Sequence, residues 1–239
     1  MKKNSIKKIL ILLIIFFIIY ISINKLSNFI TSEISNEDII FTLYRNSVLG
    51  YGNSYLFTML IIYINIVDID KYLNTYSVVR YKSKAAINFH MFRDIINNNC
   101  IFFILLNILF FINMILMFGI SYINSRFIIY VLLSSVIQVL GLTIVMLCIV
   151  FIYLIINNII CSSIIVFTTL MLQEAFLRVI KSNAKSFLDI IYFKCSFETY
   201  LNNIVIQISF LISFMFASIL LYILIDTKLK KKDILNGKK

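Results

Sequence analysis

Between Arg126 and Glu174 the chain runs for 47 residues without one charged side chain. As a single helix that run would extend about 70 Å, against a bilayer hydrocarbon core of about 30 Å, so it must fold back on itself once. The natural break is Asn157-Asn158, the polar pair that interrupts it. Two membrane spans are therefore expected, Phe127 to Ile156 and Ile159 to Leu172. They read as helices because the apolar residues are continuous rather than alternating, and because hydrocarbon leaves every backbone donor and acceptor to be paired within the protein.

The rest of the chain divides by the same logic. Residues 95–125 are charge-free and hold a span near 100–120, and residues 199–225 are charge-free and hold one near 204–225. The N-terminus, MKKNSIKKILILLIIFFIIYISIN, has a basic start and an apolar stretch over 9–23. Those features also describe a secretory signal, but no convincing small-residue cleavage site follows, so the expectation is a retained first span. The stretch 51–67 has an apolar core shorter than spans usually are, and charge decides it. Lys2, Lys3, Lys7 and Lys8 precede the first span, while Lys228, Lys230, Lys231, Lys232, Lys238 and Lys239 follow the last. Both termini are then expected in the cytoplasm and the number of spans is even, which makes 51–67 the second of six. This topology places 15 of the 22 Lys and Arg residues on the cytoplasmic side.

The expected fold class is all-α, a polytopic membrane protein of one domain, 1–239, with six transmembrane helices. It would carry one cytoplasmic helix in the 68–98 loop and short external interfacial helices in the 173–203 segment. That segment is too charged to span and too apolar for a free loop. Phe176, Leu177, Val179 and Ile180, followed by Phe187, Leu188, Ile190 and Ile191, read as two such helices joined at Lys181 to Lys185.

A formal net charge of +11 would point to nucleic acid in a soluble protein. Here the cations cluster at the ends of apolar runs, as topology determinants do, and no nucleic-acid partner is expected. The four cysteines show no metal spacing and read as small buried hydrophobes. His90 is the single histidine and has no second histidine to share a metal. HExxH, GxSxG and the P-loop GxxxxGK[ST] are missing, so no cofactor is expected on this chain and no ATP binding by that route. No ionisable group sits centrally in any expected span, which argues against an intramembrane enzyme. Asn65, Asn107, Asn113, Gln138 and Gln207 read as interhelical hydrogen-bonding groups, or as the lining of a weakly polar path.

The stretch 76–94, YSVVRYKSKAAINFHMFRD, is the main charged segment. On a helical wheel it has one apolar stripe through Val78, Tyr81, Ala85, Phe89, Phe92 and Ile96, and a second through Ile87, Met91 and Ile95 on roughly the opposite side. Two readings stay open: a helix whose second face is covered by a cytoplasmic protein partner, or a juxtamembrane helix continuing into the third span.

The six-span layout, the basic helical loop before the third span, the tight turn at Asn157-Asn158 and the helical segment before the last span resemble the permease subunits of ABC-2 type transporters. The most specific local match is RYKSK, Arg80 to Lys84, which is similar to the Arg-x-x-Ser-Arg/Lys pattern of small bacterial permeases of this type. The chain departs from the family pattern in having no tryptophan, where relatives often place one after the basic pair. The resemblance implies a loop that seats in a separate cytoplasmic ATP-binding cassette subunit, with contacts from Arg80, Lys82, Lys84, Ile87 and Met91, a smaller contact at Asn157 and Asn158, and re-entrant helices before the last span. It further implies a second permease subunit, residence in the bacterial cytoplasmic membrane, no catalysis by this chain, and a hydrophobic or amphipathic cargo such as an antimicrobial peptide, in export or immunity. The rival expectation is a stand-alone membrane immunity or accessory protein that sequesters a peptide or lipid without ATP.

Overall fold

The computed structural model describes residues 15, 17–22, 24, 36–73, 83–119, 123–180, 186–192 and 204–231. The described residues form helices only: a piece at 17–22, then α1 (Asn36–Ser47), α2 (Tyr51–Leu73), α3 (Lys84–Phe118), α4 (Ser125–Ile156), α5 (Ile159–Val179), α6 (Phe187–Ile191) and α7 (Ile204–Lys231). Four of them are long and apolar enough to cross a membrane: α3, α4, α5, and α7 from Ile208 onward. The chain is thus a multi-pass membrane protein. Helix α2 has the length, at 23 residues, but Asn53, Ser54, Asn65, Asp68 and Asp70 leave it more polar than those four. Of the expected first span, 9–23, only 15 and 17–22 lie among the described residues.

The helix ends are set by local chemistry. Ser83 caps α3 by accepting from the Ala86 amide at 3.1 Å, and Asn124 caps α4 by accepting from Phe127 at 2.7 Å. The uncharged run turns at Asn157, which stops α4 in the left-handed conformation (φ 61°), a geometry that asparagine tolerates better than branched residues. Asn158 then caps α5 through its side-chain oxygen, 3.0 Å from the Ile160 amide and 3.1 Å from that of Cys161.

Helix α3 has no break between Lys84 and Phe118, and its 35 residues extend about 52 Å. From Lys84 onward, the basic segment and the third apolar helix are one rod, and residues 74–82 of the 68–98 loop lie outside the described residues. Helix α5 likewise continues past 172 to Val179, so the first of the two expected interfacial helices is the end of this rod.

Helix α4 is the centre of the bundle, packing against α7 most extensively and against α3 and α5 next. Helix α1, which falls in a stretch with no apolar run long enough to span, docks into an aromatic cluster through Phe41 and the fully buried Leu43 and Tyr44. The Tyr44 ring lies edge-on to Phe110, Phe127 and Tyr130 at centroid distances of 4.9, 5.6 and 6.0 Å, the arrangement that ring quadrupoles favour. Ile40, Leu43, Tyr44 and Ser47 recur at steps of three and four, the helical signal carried by a stretch that the span count passes over.

Candidate functional sites in the bundle

The basic end of the bundle is built by α3, the α4–α5 turn and the end of α7. Lys84 Nζ donates to the Lys230 carbonyl at 3.3 Å, Asn88 Nδ2 donates to the Tyr222 carbonyl at 3.3 Å, and the Phe92 and Tyr222 rings lie 5.2 Å apart. These contacts roll α3 so that Ile87, Met91 and Ile95 face its neighbours. Ile87 and Met91 are 0% exposed, so neither presents surface to a partner in this structure, and the stripe expected to be covered from outside is covered from within. Phe89, on the stripe expected to rest against the protein or the membrane interface, is 55% exposed. Lys84 is half-buried, and Asn157 and Asn158 are exposed. Arg80 and Lys82 lie outside the described residues.

Polar side chains tie the helices together in the interior. Asn65 of α2 donates to Asn99 of α3 at 3.0 Å, and Asn99 donates to Thr143 of α4 at 3.0 Å. Asn98 bridges back to Asn65 at 3.3 Å and to Asp68 at 3.0 Å. A second seam joins Tyr44, Asn107 and Ser135: the tyrosine hydroxyl donates to Asn107 Oδ1 at 2.9 Å, and Asn107 Nδ2 donates to Ser135 at 2.7 Å. Asn65 and Asn107 thus bond between helices. Asn113 donates only within its own helix, to the Leu109 carbonyl, and neither polar atom of the buried Gln138 amide has a hydrogen-bond partner.

Glu174 is a buried ionisable group just past residue 172, where the fifth span was expected to end. It sits inside α5 at 2% exposure. One carboxylate oxygen accepts from the Tyr55 hydroxyl of α2 and the other from Arg178, one turn on along α5. Arg178 is largely exposed and carries its charge outward, as long cations do at helix ends. The signal in the sequence was the Glu174/Arg178 spacing of four inside an apolar stretch.

The short helix α6 departs from its expected place. Expected to lie at an interface, it is embedded instead: Leu188, Ile191 and Tyr192 are all 0% exposed. Ile191 sits over Gly141, the middle of α4, so closely that a methyl group added there would fall 2.5 Å from Ile191 Cγ1. The Tyr192 and Thr58 hydroxyls share a hydrogen bond at 2.9 Å, and the Phe187 and Phe214 rings are 5.7 Å apart. Residues 181–185 and 193–203 of that segment lie outside the described residues.

Between α3 and α4 an open groove of about 460 Å³ is walled by apolar side chains, among them Ile104, Ile108, Leu132 and Val136. Its two polar members, Asn107 and Ser135, are bonded to each other, so it offers an apolar surface. No protein-family model matches this chain, and neither does any curated protein or any solved structure.

Proposed function

We propose that this chain is the membrane-spanning permease subunit of a bacterial ABC transporter, moving a hydrophobic or amphipathic cargo such as an antimicrobial peptide, with ATP bound and hydrolysed by a separate cytoplasmic subunit. On this reading the chain has six spans with both termini in the cytoplasm, the helical piece at 17–22 belonging to the first and α2 being the second. A second permease copy or a related subunit completes the transporter, and this chain is not itself an enzyme.

The observation that supports the reading is the embedded helix α6, which precedes the last long helix in the chain. A chain acting as a simple anchor has no need to return a capped helix to the middle of its bundle, whereas in a transport pathway such an element can line or close the path. RYKSK adds to it, because its last residue opens α3 at the basic end of the bundle beside Lys230. With Ile87 and Met91 turned inward, the proposed ATPase contact passes to Arg80, Lys82, Lys84, the outward Phe89 and the Asn157-Asn158 turn.

One observation favours the rival, a stand-alone immunity or accessory protein. Internal burial of Ile87 and Met91 removes two of the apolar side chains that had called for a protein cover. Affinity purification of the full chain from its own membranes in mild detergent separates the two. An ATP-binding cassette protein that copurifies in near-stoichiometric amount supports the transporter, and its absence from material that keeps its lipid and its second copy refutes it.

A further inference from the structure

We propose that α6 is a releasable plug, seated at mid-bundle in a notch that Gly141 leaves in α4, and that its withdrawal opens a polar-lined cleft between α2, α4 and α7. The proposal rests on packing and holds whether the chain is driven by an ATPase or works alone.

The seat is made of three unlike contacts on three helices. Ile191 fills the space above Gly141, where an added Cβ would meet its side chain at 2.5 Å. Tyr192 is latched to Thr58 of α2, and Phe187 rests against Phe214 of α7. Together they place a helix of five residues across the gap between the long rods. Nothing in hydrocarbon drives such docking by water exclusion, so close packing and polar contacts such as the Tyr192–Thr58 hydrogen bond hold the seat.

The first turn of the plug is capped by its own residues. Ser186 and Asp189 form a capping box, with the Asp189 amide donating to Ser186 Oγ at 3.1 Å and the Ser186 amide to Asp189 Oδ2 at 3.2 Å. This satisfies the first turn without help from the bundle.

The seated state carries a built-in penalty. Gln138 lies one turn from Gly141, on the same face of α4; its side chain is fully buried and both of its polar atoms lack partners. Unpaired amides in a core are disfavoured and mark either an occupied site or a second state in which they are satisfied. Withdrawal of α6 provides that second state, because Gln138 and the Thr58 hydroxyl then line an opening that water or a polar group of the cargo can enter. The two positions differ by a few contacts, which is the condition for a populated equilibrium rather than a fixed wall.

The test uses the full-length chain in membrane vesicles with Cys100, Cys148, Cys161 and Cys195 replaced. A cysteine pair at Gly141→Cys and Ile191→Cys has its Cβ atoms within about 4 Å, because Cβ of position 141 lies 2.5 Å from Ile191 Cγ1, one bond from Ile191 Cβ, and disulfides form at about 3.5–4.5 Å. Mild oxidation should join them in nearly every molecule. A separate Leu188→Cys chain should react with a membrane-impermeant maleimide slowly but to completion. Its rate should rise roughly twofold to tenfold when Tyr192→Phe removes the latch, the effect of losing one net hydrogen bond. In a chain carrying all three cysteines, the 141–191 disulfide should stop the labelling at 188. Failure of the pair to cross-link overturns the seat. Labelling at 188 that never occurs, or that proceeds at one rate regardless of Tyr192→Phe and the disulfide, overturns the release.

Discussion

Asn65 and Asn99 make the same bond, yet their removal should not cost the same. Both side chains are fully buried, and truncation to alanine leaves a cavity of the same size in each case, so the difference between the two variants reports on the hydrogen bonds. Asn99→Ala takes away the bonds to Asn65 and Thr143 but strands neither partner. Asn65 still donates to the Ile61 carbonyl at 3.0 Å, and Thr143 still donates to the Val139 carbonyl at 2.7 Å. Asn65→Ala strands the Asn99 Oδ1 acceptor in the core. Hydrogen bonds between helices in a bilayer contribute about 0.6 kcal/mol on average and up to about 1.7, whereas a buried acceptor left without a donor costs about 1–3 kcal/mol. Asn65→Ala should therefore be more destabilising than Asn99→Ala by about 1 kcal/mol or more. The double variant should fall short of the sum of the two by about 1–2 kcal/mol, since it removes the stranded group along with the bond. Reversible unfolding in bicelles measures all three. Equal costs, a reversed order, or additivity within about 0.5 kcal/mol would show that the amides do not act through each other.

The left-handed cap at Asn157 (φ 61°) predicts that Asn157→Gly leaves stability within about 0.5 kcal/mol, while Asn157→Val costs about 1–2 kcal/mol; the same unfolding assay reads both. Glu174→Gln keeps an acceptor for Tyr55 but loses the charge pairing with an exposed arginine, so it should cost less than about 1 kcal/mol. Glu174→Ala strands the Tyr55 hydroxyl and should cost about 1–3 kcal/mol, and an equal effect of the two would refute the buried clasp. Arg80→Glu with Lys84→Glu should abolish copurification of the ATPase and stop transport without changing the amount of folded chain in the membrane. Normal pull-down and transport by the double reversal would remove the proposed partner contact.

What the sequence made legible follows from which physical rules need no neighbour. The fold-back at Asn157-Asn158 was readable because 47 uncharged residues exceed the membrane whatever surrounds them, and because asparagine is suited both to a left-handed stop and to a cap. The two stripes on the 84–96 segment were also readable from helical period. Which stripe faced inward was not, since a wheel gives relative angles and no absolute orientation. That depended on Asn88 and Phe92 meeting Tyr222, 134 and 130 residues away in the chain. Glu174 was missed for a related reason. Charge marks a span boundary only if the charge is solvated, and the pairing with Tyr55 and Arg178 lets α5 run past its carboxylate. The amphipathic pattern of 187–191 fits an interface and a bundle core equally well, and the small residue that decides between them, Gly141, lies on another helix.

The distribution of hydrogen bonds in the bundle has a mechanical consequence. Asn65, Asn98, Asn99 and Thr143 tie α2, α3 and α4 to one another, and Tyr44, Asn107 and Ser135 tie α1 to the same pair. Helix α7 has the largest packing contact with α4, but the side-chain bonds it receives from α3, from Lys84 and Asn88, are both near its C-terminal end. Apolar contacts between helices in lipid exchange for lipid contacts at little cost, whereas a broken hydrogen bond in hydrocarbon finds no substitute. A displacement that keeps those two bonds and exchanges apolar contacts for lipid is therefore cheaper than one that breaks them. Such a motion pivots α7 about the basic end and moves Phe214 away from Phe187, loosening one side of the seat that holds α6. The basic end, where a driving partner would bind, and the plug at mid-bundle are then the two ends of one lever.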